Sequence, residues 1–364
     1  MRLLFTGGGT GGHVYPALEC ALGAKARGHE VQYWGSLRGQ ESAACGRVEM
    51  AFRGFESGPV YRLSSLRGIK SLLTLMKSTN AVVREMEGMG VDGVFATGGY
   101  AAAPVLNAAR KLKVPLVVHE QNTEPGRTNL IMSRYAKVVC TAFHGSARHF
   151  SPDKVRRVGM PIRRELRESA GQGRLLQSGS GFPQVLVMGG SQGSQALNDM
   201  ALSTAVRMGA EKVRWMHLTG LSHFESTMSS LDRLGVKSGY EIKSYLHAQE
   251  MADALFGCDV AVCRSGAGTM AELAAFRKPA VLVPYPAAFH DHQFFNAKEF
   301  ADMGAAEIIR QEDLDSSGLE SRILSWLYDA DKQALASEKL AEWDVPDAVE
   351  RILDIIEEVG TKRA

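Results

Sequence analysis

Five cysteines in 364 residues are few and odd in number, and no two of them form C-x-x-C. That excludes a disulfide framework and a ribbon-type zinc site. Cys20, Cys45, Cys140, Cys258 and Cys263 fit the reduced, mostly buried thiols of a cytoplasmic protein. Cys258 and Cys263 have no histidine at ligand spacing, so a metal pair there is set aside. No long apolar run is present either. The longest uncharged stretch, Gly93 to Ala109, is interrupted by Gly98, Gly99 and Pro104 and does not read as a membrane-spanning helix. Met1-Arg2-Leu3-Leu4-Phe5 leads straight into glycines, so the expectation is an opening strand and no signal peptide. Aromatics make up only 7%, and no basic helix interleaves them, so no nucleic-acid partner is expected.

Hydrophobic content of 45% and charged content of 23% are ordinary for a globular chain, and the length suits two domains with full cores. The net charge of +2 is unevenly placed: residues 1–160 hold 21 Lys and Arg against 11 Asp and Glu, and residues 161–364 hold 21 against 29. A basic first half points to something anionic, either a membrane surface or a diphosphate ligand.

What is present is a repeated strand, glycine turn and helix. Arg2 to Thr6 is followed by Gly7-Gly8-Gly9-Thr10-Gly11-Gly12, then a helix opening at His13 with Pro16 in its first turn. The glycines satisfy G-x-G-x-x-G, but the second strand ends in Gly35-Ser36 without the carboxylate a dinucleotide site needs. No Gly-Lys-Ser/Thr follows, so the phosphate loop of nucleotide triphosphatases also fails. An anion cradle at a helix start remains, with His13 at its lip. Further strands are expected at Val94–Thr97, before Gly98-Gly99-Tyr100, at Leu116–His119, before Glu120-Gln121-Asn122, and at Val138–Cys140. The plan then recurs, with Val185–Met188 before Gly189-Gly190-Ser191-Gln192-Gly193-Ser194 and Val260–Val262 before Cys263-Arg264-Ser265-Gly266. The fold expected is α/β, with two Rossmann-like doubly wound parallel-sheet domains. They span 1–160 and 161–340, joined near Val158-Gly159-Met160-Pro161, and a C-terminal helix over 341–364 packs back on the first domain.

Three features carry competing readings. Thr269-x-x-Glu272 is either a capping box closing a helix or a carboxylate beside a phosphate site, able to accept ribose hydroxyls. The helix over Leu63–Glu87 carries Leu66, Ile69, Leu72, Leu73 and Met76 among Arg62, Arg67, Lys70 and Lys77. It is either an amphipathic core helix or an interfacial patch for anionic lipid. Asp313-Leu314-Asp315 resembles a metal-binding carboxylate pair but reads better as a helix N-cap.

Taken together, GGGTGGHVYPAL from Gly7, ATGGY from Ala96, HEQN from His119, GMPIR from Gly159, GGSQGSQALN from Gly189, CRSGAGTMAE from Cys263 and DHQFFNA from Asp291 closely resemble the MurG family, in order along nearly the whole chain. That resemblance implies two facing domains of the GT-B type. It implies an inverting transfer of N-acetylglucosamine from UDP-GlcNAc to undecaprenyl-diphospho-muramoylpentapeptide, without metal or cofactor, on the cytoplasmic face of the membrane. It places Thr10, Gly11, Gly12, Asn122, Arg163, Ser191, Ala248, Ala267, Gly268, Thr269, Met270, Ala271, Glu272 and Gln293 on UDP-GlcNAc. Gly8, Gly9, Gly98, Gly99, Tyr100 and Glu120 go to the acceptor, and His13 becomes the general base or a positioner of the acceptor diphosphate. An anionic membrane surface and other cell-wall synthesis proteins are the implied partners. Ser194, where the family usually has Ala, Arg127 and His290 depart from the pattern. Another GT-B enzyme, such as a UDP-GlcNAc 2-epimerase, and a non-catalytic sugar-nucleotide sensor are the competing functions.

Overall fold

The computed structural model describes residues 1–59, 64–172, 181–190, 192–209, 212–236 and 238–361. They form two compact units, one of Met1–Ile162 with Asp347–Ala364 and one of Arg163–Pro346. The first unit runs β1 (Arg2–Gly7), α1 (Gly11–Ala26), β2 (Glu30–Ser36), α2 (Glu41–Arg47), β3 (Phe52–Phe55), α3 (Leu66–Met89), β4 (Gly93–Gly98), α4 (Ala103–Leu112), β5 (Leu116–Glu120), α5 (Arg127–Met132), β6 (Val138–Thr141) and β7 (Val155–Arg157). Its sheet has the order β3-β2-β1-β4-β5-β6-β7, and every strand pair among the described residues is parallel.

Strands buried on both faces need apolar residues at consecutive positions, because successive side chains point to opposite faces. Accordingly Leu4, Trp34, Val94 and Val118 join one core with Val82, Met86 and Leu106. Leu3, Phe5, Phe95 and Val117 join another with Val14, Ala17 and Ala21 of α1. Each such large side chain contributes about 1.5–3 kcal/mol by leaving water.

The second unit runs α6 (Arg164–Gly171), β8 (Gln184–Met188), α7 (Gln195–Met208), β9 (Arg214–Leu218), α8 (Phe224–Leu234), β10 (Tyr240–Lys243), α9 (Ala248–Gly257), β11 (Val260–Cys263), α10 (Ala267–Ala275), β12 (Ala280–Leu282), α11 (His292–Asp302), β13 (Ala306–Ile308), α12 (Ser316–Leu327) and α13 (Ala330–Trp343). The sheet order is β10-β9-β8-β11-β12-β13, again with every strand pair among the described residues parallel. The last helix, α14 (Ala348–Thr361), belongs to the first unit. Ile352, Leu353 and Ile356 enter the core with Leu3 and Phe5, and Arg27 holds Asp354 at 2.7 Å.

Three local expectations change. Helix α1 begins at Gly11, two residues before the expected opening at His13, so Pro16 falls past its first turn. The expected helix from Leu63 begins at Leu66, after Ser65 accepts from the Gly68 N–H; Arg62 and Leu63 lie outside the described residues. Its apolar stripe does not enter the core. Leu66 is 88% exposed, Leu73 60% and Ile69 50%, whereas the buried apolar residues of α3 are Val82 and Met86, further along. Asp315, by contrast, caps α12 by accepting from the Gly318 N–H at 2.8 Å.

Two histidines are fully buried. His119 places Nε2 2.9 Å from the Gly159 carbonyl, and burial pushes its pKa down to about 4. His217 sits between Asn198 Oδ1 at 3.0 Å and the Tyr240 hydroxyl at 2.8 Å, and burial pushes it down to about 3. A depressed imidazole contributes stability that is complete above its unfolded pKa near 6.5 and is lost as pH falls toward the folded value. Glu120, which burial raises to about 6, acts with the opposite sign over part of that window. Denaturant melts at pH 7.5 and 5.0 should therefore lose stability on acidification, and His217→Gln should reduce that loss by up to about 1.4 kcal/mol per pH unit. An unchanged pH dependence in the variant would mean that His217 protonates in place.

Candidate functional site

In a doubly wound sheet, ligands gather at the strand C-termini where the winding reverses, since neighbouring loops diverge there. In the first unit that point lies between β1 and β4, and in the second between β8 and β11. Both carry the glycine loops.

At β1 and β4 the two loops meet backbone to backbone. The Gly8 N–H donates to the Gly98 carbonyl at 3.2 Å, and a Cβ at Gly99, whose φ is +78°, would lie 2.0 Å from the Gly8 oxygen. Only glycine fits. A Cβ on Gly9 would come within 2.8 Å of the Tyr100 ring. The Gly9 N–H donates to Glu41 Oε1 at 3.2 Å. The amides of Gly8 and Gly9 are thus engaged inside the protein, which narrows the expected anion cradle to the start of α1. There Thr10 is the N-cap by backbone position but makes no side-chain cap; its hydroxyl lies 3.0 Å from His13 Nδ1 instead. Gly11 and Gly12 are the first two residues of the helix, where N–H groups have no partner within the helix. Thr97 donates to the His13 carbonyl at 2.6 Å, fixing the backbone beneath the imidazole.

The loop after β5 is organised by Glu120, which is 1% exposed. One carboxylate oxygen accepts from the Asn122 N–H at 2.9 Å, and the other from the Gly126 N–H at 3.1 Å and Asn129 Nδ2 at 2.9 Å. Glu120 therefore shapes the turn that carries Asn122 and is not itself presented at the surface.

In the second unit Ser191 lies outside the described residues. Gly193, with φ +77°, approaches so closely that a Cβ would stand 2.1 Å from the Thr219 carbonyl. Ser194 N-caps α7, accepting from the Leu197 N–H at 3.4 Å, and also accepts from Arg264 Nη2 at 2.6 Å. The same buried guanidinium donates to the Val283 and Pro284 carbonyls and to Gln311 Oε1. Arg264 therefore ties together the loops following β8, β11 and β12. Sequence reasoning quoted Arg264 within a motif without giving it this role.

The start of α10 decides the fate of Thr269 and Glu272. The N-cap is Gly266, with no side-chain cap, so Thr269 is the third residue of the helix and no capping box forms. Ala267, Met270 and Ala271 bury their side chains, while Gly268, Thr269 and Glu272 reach the surface, Glu272 lying four and three residues on from the other two and so on the same face. The Glu272 side chain is 17% exposed and lies 3.4 Å from Arg163 Nη2. Burial raises its pKa, and Arg163 opposes the rise. Nearby, Ser265 Oγ donates to the Gln293 carbonyl at 2.7 Å, and the Gln293 side-chain oxygen accepts from the Tyr285 N–H at 3.0 Å. Ala248 opens α9 behind its His247–Glu250 capping box.

Models of the glycosyltransferase family 28 N-terminal and C-terminal domains match residues 3–141 and 184–352. The solved structure of MurG from Acinetobacter baumannii superposes with a TM-score of 0.79 at 28% identity, over 98% of this chain and 99% of that one. Two parallel-sheet units of this kind define a glycosyltransferase of the GT-B class. Full-length relatives narrow that class further. The UDP-N-acetylglucosamine--N-acetylmuramyl-(pentapeptide) pyrophosphoryl-undecaprenol N-acetylglucosamine transferase 2 of Bacillus thuringiensis (strain Al Hakam) is 34% identical over all of both chains. The transferase of that description from Desulforamulus reducens is 34% identical over 99% of each. The chain belongs to this family of N-acetylglucosamine transferases.

Proposed function

We propose that the protein transfers N-acetylglucosamine from UDP-GlcNAc to the 4-hydroxyl of the muramoyl sugar in undecaprenyl-diphospho-muramoylpentapeptide, with inversion at the anomeric carbon. The observation that carries this reading is the start of α10, where an uncapped helix N-terminus adjoins a largely buried carboxylate, joined to a full-length match with enzymes named for that transfer. A sensor or an epimerase would share the nucleotide end but would not account for a full-length match to transferases.

The chemistry follows from the residues. The first N–H groups of α10 and its dipole stabilise the charge that grows on the UDP diphosphate as the anomeric C–O bond breaks. Glu272, ionised, accepts both ribose hydroxyls. The acceptor oxygen forms the new bond to the anomeric carbon, its proton passes to His13, and the bonding electron pair departs with UDP. Since His13 Nδ1 faces the Thr10 hydroxyl, that proton goes to Nε2. Gly11 and Gly12, which the resemblance places on UDP-GlcNAc, are assigned in this reading to the acceptor diphosphate, since the α10 amides serve the donor; Asn122, Gln293, Arg163 and Ser191 stay with the donor. Asp315 is occupied as a helix cap, so the D-x-D pair contributes no ligand set for a metal in this reading.

The enzyme is further proposed to work at the cytoplasmic membrane surface. No helix among the described residues is long and apolar enough to cross a membrane. Instead the exposed Leu66, Ile69, Leu73 and Met76 of α3 stand beside exposed Arg67, Lys70 and Lys77. That combination dips apolar side chains into lipid while cations meet anionic headgroups.

Incubation with UDP-GlcNAc and a short-chain lipid-linked acceptor should yield the disaccharide product; no product with active acceptor would end the proposal. Glu272→Gln should weaken UDP affinity by about 1–3 kcal/mol, the scale of a hydrogen bond to a charged group, without a matching loss of melting temperature. Because burial raises the Glu272 pKa, UDP affinity of the parent should fall on acidification already above the usual carboxylate range, and Glu272→Gln should lack that limb.

For His13, a general base contributes about 10²–10⁴-fold, so His13→Ala should lower kcat by that order and leave UDP affinity intact. A rise confined to the acceptor KM would assign His13 to positioning alone.

Vesicles containing anionic lipid should bind the protein less tightly as salt rises, and Ile69→Asp with Leu73→Asp should reduce binding without altering UDP affinity. Equal binding by that variant would remove α3 from the membrane contact.

A further inference from the structure

Glu41 is a charged residue that neither the glycine motif nor the family resemblance singled out. It opens α2, and its side chain is entirely buried. Isolated carboxylates are rarely tolerated in that setting, because desolvation costs several kcal/mol unless donors replace water. Here one oxygen accepts from the Gly9 N–H at 3.2 Å, and the other, Oε2, has no hydrogen-bond partner. The carboxylate takes help from the positive end of its own helix.

The surrounding glycines are shaped to this one side chain. A Cβ at Gly8 would fall 1.6 Å from Oε1, one at Gly39 1.5 Å from Oε2, and one at Gly35 3.2 Å from Cγ. For Gly39 the three nearest atoms all belong to Glu41, and its φ is not among the positive ones. Gly39 is therefore glycine to leave room for the carboxylate and not for its backbone angle. The Tyr33 hydroxyl, donating to the Gly7 carbonyl at 2.6 Å, and the Gly98 carbonyl, accepting from Gly8, hold the same loop at its root. Glu41 is the contact that holds its crest. With Gly9 drawn inward, the chain turns at φ +93° into Thr10, and the amides of Gly11 and Gly12 open α1.

We propose that Glu41 is a positioning residue, whose carboxylate grips the Gly9 amide from behind and so aims the start of α1 and the His13 ring at the acceptor. This rests on the reading of that loop as the acceptor side.

Two readouts test it on the full chain. In hydrogen exchange without substrate, amides in the peptide spanning residues 7–12 should exchange at least tenfold faster in Glu41→Ala. Glu41→Gln, which keeps a carbonyl for Gly9, should lie nearer the parent. Gly39→Ala, which displaces the carboxylate, should reproduce the Glu41→Ala effect and add nothing to it in the double variant, as coupled sites do. In the transfer assay Glu41→Ala should raise the acceptor KM about tenfold or more, with a smaller change in kcat and an unchanged UDP affinity measured by calorimetry.

Unchanged exchange in Glu41→Ala, or additive effects of Glu41→Ala and Gly39→Ala, would overturn the assignment. So would parallel losses of melting temperature, UDP affinity and turnover, which mark a general structural role. If the parent transfers no sugar, the assigned reaction falls, while the exchange experiment still decides the role of Glu41.

Discussion

Helices α1 and α10 begin at the winding reversals of their sheets without a side-chain cap, and the proposed chemistry depends on those bare ends. A missing cap costs about 1 kcal/mol. Ser65, Ser194, Asp315 and Asp329 close α3, α7, α12 and α13, while α2, α4, α5, α6, α8 and α11 also start without a side-chain cap, so it is position that distinguishes α1 and α10. At α1 the residue that could cap, Thr10, turns its hydroxyl to His13. At α10 the cap position is Gly266. Each exposed end follows a strand at the winding reversal of its sheet, so the positive ends of two helix dipoles lie where an anion can approach.

Keeping such ends in place requires rigidity behind them, and buried charges provide it. Arg264 gathers four acceptors from three separate segments, Glu120 gathers the turn of residues 122–126, and Glu41 draws in Gly9. A buried ion is weak evidence for stability, since a well-packed apolar group would often serve as well. A guanidinium with several carbonyl partners, however, defines one geometry where a leucine would permit many. Ser194 illustrates the point. As an N-cap that also accepts from Arg264, it couples the cap of α7 to the loop before α10.

Helix α3 shows a different constraint. Its second half packs Val82 and Met86 into the core with Leu106, and this anchors the helix. The first half can then hold Leu66, Ile69, Leu73 and Met76 in water, and the proposed membrane contact draws on that exposed stripe.

The sequence alone determined the alternation of parallel strands and helices, the glycine loops at strand ends and the family, because each is written in contiguous residues: apolar runs, glycines and ordered motifs. It left β3, β7, β10 and β13 unread, since three or four residues at or near a sheet edge carry too short a pattern. Tertiary structure decided the rest. Whether Thr269-x-x-Glu272 caps a helix depends on where α10 starts, and the turn at Gly266 sets that start three residues earlier than the motif implies. Whether the stripe on α3 is core or surface depends on what packs against it, which no periodicity states. Glu41, five residues beyond the end of β2, accepts from the Gly9 N–H in the loop after β1, a contact that no local pattern foretells. A buried charge is stabilised by whatever the fold brings to it from a distance, and local sequence does not record those partners.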